Sequence, residues 1–162
     1  MFAFHLADEV SVRDVVSWCY DPPYDVYNLD PNSKETLRYL LDPNTACYTF
    51  TDGCGELVGF CTFGKDAQVP GGDYSDEALD IGMGIRPDLT GRGSGSIYVN
   101  AVLEYAVARF KPATVRVTVA EFNRRAQRVW EKAGFRKTQP FERIPDGAPF
   151  VVMTLRLDSF PS

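Results

Sequence analysis

The passage that most constrains this chain is Arg86-Pro87-Asp88-Leu89-Thr90-Gly91-Arg92-Gly93-Ser94-Gly95-Ser96, which separates two apolar runs of different period. Before it, Leu79-Asp80-Ile81-Gly82-Met83-Gly84-Ile85 reads as a strand containing two glycines, a mark of a bulge or of close backbone approach. After it, Val99, Val102, Leu103, Ala106, Val107 and Phe110 fall on one face of a helix. A strand, a glycine turn and a helix start make a natural anion site. The first N–H groups of a helix lack partners, its dipole favours negative charge, and glycine lets the main chain approach without a side chain between. Arg92 adds a fixed positive charge. A plain connecting loop would use the same residues. Two familiar phosphate loops do not fit: the segment has no lysine for a Walker loop, and Ser96 stands where the dinucleotide fingerprint needs its last glycine.

At 162 residues the chain suits one domain, residues 1–162, able to bury a substantial core. Phe2 to Leu6 reads as a strand, and Ser11 as the cap of a helix carrying Val12, Val15, Val16 and Cys19. Asp21-Pro22-Pro23 ends that helix, and a second starts at Ser33 and stops before Pro43. Ala46–Thr51 and Glu56–Gly64 form a predicted hairpin around Asp52-Gly53-Cys54-Gly55. Residues 67–76 read as an exposed loop. Val115, Val117 and Val119 alternate with Arg116 and Thr118 in a strand, followed by a helix over about 123–132 and strands near 137–143 and 150–157. The order predicts an α+β fold: a central mixed, mostly antiparallel sheet of about seven strands flanked by four helices.

Composition narrows the function. With 22 Asp and Glu against 17 Lys and Arg, and no long basic run, nucleic acid is a poor partner. Cys19, Cys47, Cys54 and Cys61 form no C-x-x-C pair, and His5 lies far from them in sequence, so no metal site is expected. A Cys54–Cys61 disulfide across the hairpin is conceivable but not favoured, since the thiols read as small core residues. No apolar run approaches the roughly 18 residues of a membrane span, and the first ten residues include Asp8 and Glu9. The expectation is a cytoplasmic protein without a membrane partner.

Thr90-Gly91-Arg92-Gly93-Ser94-Gly95 resembles the acetyl-coenzyme A loop of the GCN5-related N-acetyltransferase superfamily, Q/R-x-x-G-x-G/A, departing from it only at Thr90. A second segment resembles the superfamily's strand-Asn-helix-Gly-Phe pattern: Val117 to Asn123, then Ala126, Val129, Trp130 and Gly134-Phe135. Together with the element order, the resemblance covers nearly the whole chain. It implies an acetyl-coenzyme A-dependent N-acetyltransferase acting on a primary amine by direct attack in a ternary complex. The pyrophosphate would lie on the main chain of Gly91, Arg92, Gly93, Ser94, Gly95 and Ser96, and the pantetheine arm on that of Met83, Gly84 and Ile85, which would give the strand's glycines a reason. Asn123 would hold the pantetheine or cap the last helix.

The resemblance leaves the proton chemistry less defined. A main-chain N–H near Ile85 would serve the oxyanion, and Asp80, just before the bulge, would be the general base, with Glu121 as runner-up. Trp130 stands where many relatives have a tyrosine that protonates the leaving sulfur. An indole cannot do so, and it would pack on the cofactor or in the core. His5 reads as structural. Tyr24, Tyr27 and Asn28 are the expected acceptor wall, offering flat apolar faces with polar tips for a small amine or a peptide N-terminus. A homodimer is left open. The rival reading is a non-catalytic acyl-coenzyme A sensor or interaction module with the same fold.

Overall fold

Asp8 sets where the first helix begins. In a computed structural model that describes residues 1–157, its carboxylate accepts from the Ser11 N–H at 2.8 Å and the Ser11 hydroxyl approaches the Asp8 N–H at 3.1 Å. This is a reciprocal capping box, so α1 runs Glu9–Val16, and Ser11 sits inside the helix rather than capping it as expected. β1 (Ala3–Leu6) precedes it. α2 (Lys34–Leu41) begins next to Ser33, the expected start, whose side chain caps it, and the hairpin is β2 (Cys47–Thr51) and β3 (Leu57–Phe63). The remaining elements are β4 (Leu79–Ile85), α3 (Gly95–Phe110), β5 (Thr114–Ala120), α4 (Arg124–Lys132), β6 (Arg136–Glu142) and β7 (Pro149–Arg156). Short 3-10 turns at Tyr24–Tyr27, Pro43–Thr45, Lys65–Ala67 and Pro87–Leu89 fill segments that read as loops.

The seven strands form one sheet in the order β1-β2-β3-β4-β5-β7-β6. β1–β2, β2–β3, β5–β7 and β6–β7 are antiparallel, and β4–β5 is parallel. β3 and β4 also run antiparallel, because the Arg86 N–H donates to the Val58 carbonyl and the Gly64 N–H to the Asp80 carbonyl, both at 2.9 Å. The parallel pair needs a long crossover, which α3 provides. With α1 to α4, this is the expected mixed sheet with four helices.

The chain divides into two compact units, residues 1–62 with 83–94, and residues 63–82 with the chain from Gly95 onward. In the first, Val12 and Val16 of α1 and Leu40 of α2 pack with Cys47, with Ala7, Leu37, Leu41 and Phe60 around them. Val12, Val15 and Val16 are buried, as their helical spacing requires. In the second, Val99, Val102 and Ala106 supply the buried face of α3, whereas Val107 is exposed. Phe63 packs on Phe110 at 4.9 Å between ring centroids. Val115, Val117 and Val119 are buried beside Val151, Val152 and Met153 of β7.

Arg116, which alternates with these valines, is buried as well, its side chain only 5% exposed. Alternation shows which residues face one way, and it does not show that the opposite face is wet. The four cysteines are free thiols, Cys54 exposed and Cys61 buried in β3, so the conceivable disulfide is not formed.

Candidate functional site

The glycine passage is built to leave its main chain bare. After β4 the chain makes the Pro87–Leu89 turn, closed by the Leu89 N–H on the Arg86 carbonyl at 2.9 Å and by the Thr90 hydroxyl on the Pro87 carbonyl at 2.7 Å. Thr90, the departure from the expected pattern, is thus a local clamp. Arg86 braces the turn, donating to Asp88 at 2.7 Å and to the Leu57 carbonyl at 2.9 Å. These bonds raise the Arg86 pKa and lower that of Asp88, so both stay charged. Gly91 and Gly93 then adopt φ of 71° and 76°, the left-handed region that glycine enters without strain.

Among the described residues, the N–H groups of Gly91, Arg92, Gly93 and Ser94 donate to no protein group. A Cβ built on Gly93 would meet nothing within 4 Å, so the space beside that glycine is open. Successive N–H groups without a partner ahead of a 16-residue helix are donors of the kind an anion takes. Gly95 has a different task. A Cβ there would lie 2.9 Å from Val129 Cγ2, so the glycine lets α3 approach α4.

The strand before the loop offers its edge. The trans peptide joining Ile85 to Arg86 points its N–H at Val58 of β3, so its C=O points away from β3. That carbonyl accepts from the Tyr20 hydroxyl at 2.7 Å. Burial pushes the Tyr20 phenol up to about 12, keeping it a proton donor at neutral pH. On the other edge-to-edge pairing, β4 meets β5 at Leu79 and Asp80. Gly84 is required by packing, since a Cβ there would lie 2.4 Å from the Phe60 ring, and Phe60 itself packs against Trp18. Its glycine character therefore has a structural cause, where the sequence suggested close approach of a ligand.

Asp80, expected as a base, is 3% exposed and locked. Its two oxygens accept from Arg116 Nε at 2.6 Å and Nη2 at 2.8 Å, and Oδ2 also accepts from the Gln68 amide at 2.9 Å. Arg116 is held further by the Asp76 carbonyl at 3.0 Å and by the Tyr74 ring, whose centroid lies 4.9 Å from its Cζ. The Tyr74 hydroxyl pairs with Thr118 at 2.8 Å. This is a satisfied, fork-geometry pair, which holds the loop before β4 against β5 within its unit.

At the end of β5, Asn123 Oδ1 accepts from the Ala126 N–H at 3.0 Å and caps α4, the simpler of its two expected roles. Gln127 is buried and donates to the carbonyls of Ala120 and Glu121, fixing that strand end. The Glu121 carboxylate is half exposed and meets Arg124 only at 3.5 Å. Trp130 is 5% exposed and packs edge-on against Phe135 at 4.9 Å. It is a core residue, with its place on cofactor unsupported by its surroundings.

Of the expected acceptor wall, Tyr24 is half-buried and Tyr27 and Asn28 are exposed. Asn28 has a structural task, accepting from the Tyr20 N–H at 2.7 Å and so closing the 20–28 segment on itself. The structure therefore brings together Tyr20, Asn28 and Ile85 in one unit, and Asp80, Arg116, Gln68 and Tyr74 in the other. Tyr20's role had no local signal, because its partner lies 65 residues away. His5 is exposed in β1, opposite Thr49.

Among the described residues no group of three or more His, Cys, Asp or Glu could hold a metal ion, and no helix is long and apolar enough to cross a membrane. Solved structures share the fold at low identity. An aminoglycoside acetyltransferase in complex with coenzyme A matches with a TM-score of 0.75 and 18% identity over 97% of this chain and 95% of its own. A spermidine N-acetyltransferase chimera from Vibrio cholerae and hSSAT gives 0.71 and 15%, over 96% and 95%. YncA, a putative acetyltransferase from Salmonella typhimurium solved with acetyl-coenzyme A, gives 0.61 and 13%, over 99% and 96%. No curated protein matches. The model of the Acetyltransferase (GNAT) family matches residues 10–135, and the chain belongs to that family.

Proposed function

We propose that the chain is a single acetyl-coenzyme A-dependent N-acetyltransferase domain acting on a primary amine. The observation that carries the reading is the run of N–H groups from Gly91 to Ser94 that have no partner among the described residues, ahead of α3 and with free space beside Gly93. These residues suit a pyrophosphate: the N–H donors are successive, the glycines keep the surface bare, and Arg92 supplies charge. The start of α3, Gly95 and Ser96, extends the cradle. Main-chain groups of Met83, Gly84 and Ile85 align the extended arm, and an N–H near Ile85 stabilises charge on the carbonyl oxygen.

Bound acetyl-coenzyme A supplies a thioester carbonyl activated toward amines. The protein's part is chiefly alignment, worth up to roughly 7–11 kcal/mol in favourable cases. The amine must give up a proton as its bond to carbon forms, and the departing sulfur must gain one. Asp80 is committed to Arg116, and we assign it a structural role in place of the base first expected. Glu121, half exposed and weakly paired, is the carboxylate left to take the amine proton, directly or through water. Trp130 donates no proton, so the sulfur takes its proton from solvent.

The acceptor is a small molecule or a peptide N-terminus. The structural neighbours include spermidine and aminoglycoside acetyltransferases, and a chain of net charge −5 is suited to cationic amines of that kind. Tyr24 and Tyr27 would provide apolar walls, with Asn28 bracing them. The domain works in the cytoplasm, alone or as a homodimer. Release of free thiol from acetyl-coenzyme A across a panel of polyamines, aminoglycosides and peptides tests the reading, and turnover with at least one amine is expected. The buried Trp130 in the tyrosine position favours one rival, a non-catalytic acyl-coenzyme A sensor, for which binding without thiol release is the signature.

A further inference from the structure

Gln127 is 2% exposed, on a helix whose other buried residue is Trp130. An amide withdrawn that far from water is unfavourable unless its hydrogen bonds are made, and an apolar side chain would fill the space without that requirement. Gln127 spends both N–H groups of its amide on the end of β5. Its Nε2 donates to the Ala120 carbonyl at 3.2 Å and to the Glu121 carbonyl at 2.8 Å. The Ala120 carbonyl also accepts from the Asn123 N–H at 3.0 Å, and the Glu121 N–H donates to the Pro149 carbonyl of β7 at 3.0 Å. Glu121 is thus fixed through its main chain on both sides, to β7 by its N–H and to α4 by its C=O. Its carboxylate is not: it is half exposed and meets Arg124 at 3.5 Å. Asp80 has the opposite arrangement, its two oxygens spent on Arg116 and Gln68. A fixed main chain beneath an uncommitted carboxylate suits a proton acceptor, which needs position without neutralisation.

We propose that Gln127 is a positioning residue for Glu121: its two N–H bonds hold the end of β5 so that the Glu121 carboxylate meets the acceptor amine in one place. The inference rests on the assignment of the amine proton to Glu121 and deepens it. As the bond from nitrogen to the acetyl carbon forms, the proton passes from nitrogen to the Glu121 carboxylate, while Gln127 exchanges no proton and touches no substrate.

Gln127→Met keeps the length of the side chain and removes both donors. Because a misplacement of about 1 Å can cost roughly a hundredfold in rate, this variant is expected to lower kcat for thiol release about tenfold, with KM for acetyl-coenzyme A within about twofold of wild type. The assay is run at 15 °C on protein shown to be folded by circular dichroism. In a Glu121→Gln background the same change is expected to cost less than about twofold, because the group it positions is gone. Unchanged kcat in the single variant, or the same loss in both backgrounds, overturns the proposal. Glu121→Asp tests the point without touching the buried amide. With the main chain held, a carboxylate drawn back by one methylene cannot advance to its substrate, and a loss of about tenfold is expected. Turnover within about threefold of wild type shows that the strand end yields, and overturns the proposal. If Glu121→Gln itself leaves turnover unchanged, the assignment of the base fails, and if no amine of the panel releases thiol, the enzyme reading fails. The role of Gln127 falls with either.

Discussion

Replacing Asp80 by asparagine separates structural from chemical roles in one experiment. Both side chains of the Asp80–Arg116 pair are about 95% shielded from water, at 4% and 5% exposed, and the guanidinium makes two bonds of 2.6 and 2.8 Å to the carboxylate. Removing one partner of such a pair leaves an uncompensated buried charge and costs about 3–5 kcal/mol. Asparagine keeps the shape and one acceptor oxygen, but its NH2 faces guanidinium donors, so the lower end, about 3 kcal/mol, applies. For a chain of this size each kcal/mol moves Tm by roughly 2–4 °C, which predicts a fall of about 6–12 °C in circular-dichroism melts. Asp80→Leu combined with Arg116→Met should recover most of the loss, since apolar replacement of a whole buried pair is often neutral or better. A fall under about 2 °C would refute the structural account. At 15 °C, well below the lowered Tm, thiol release should stay within a few-fold of wild type. Its abolition there would return the base role to Asp80.

Other outcomes follow from single contacts. Gly95→Ala should cost about 1–3 kcal/mol in urea melts through the 2.9 Å approach to Val129 Cγ2, and Val129→Ala in the same chain should relieve that overpacking; failure of the second change to relieve it would contradict the helix contact. Glu121→Gln should lower thiol release at least about tenfold without altering Tm, while unchanged turnover would remove Glu121 from the chemistry. The Tyr20 phenol, raised to about 12, stays neutral in the folded chain while its unfolded counterpart ionises near 10. Its contribution to stability is therefore complete below pH 10 and lost as pH rises toward 12. Absorbance at 295 nm should show a late-titrating tyrosine that Tyr20→Phe abolishes, and identical curves would contradict its burial.

The limits of legibility are themselves physical. The helices and strands around the core announced themselves by period, as with Val12, Val15 and Val16, and Leu79–Ile85 was bounded by residues that do their work locally. Asn123 was equally readable, because a cap acts over three positions. Non-local satisfaction was not readable. Nothing in Val115-Arg116-Val117 reveals that Arg116 turns inward to a carboxylate 36 positions earlier. Gly84 was assigned to a ligand because its true neighbour, the Phe60 ring, is a partner across the sheet. Tyr20 looked like one of several tyrosines in an irregular segment until the Ile85 carbonyl appeared beside its hydroxyl. The glycine loop was legible because its function resides in backbone freedom, which glycine spacing encodes directly.

That loop supplies the decisive measurement. Titration of the folded protein with acetyl-coenzyme A, followed together by calorimetry and by backbone amide resonances, should give one-to-one binding with Kd of about 10 μM or tighter, roughly −7 kcal/mol. The largest shifts should fall on the amides of Gly91 to Ser96, whose N–H groups between Gly91 and Ser94 have no protein partner among the described residues. No heat up to about 1 mM ligand, or shifts that bypass these amides, would contradict the account.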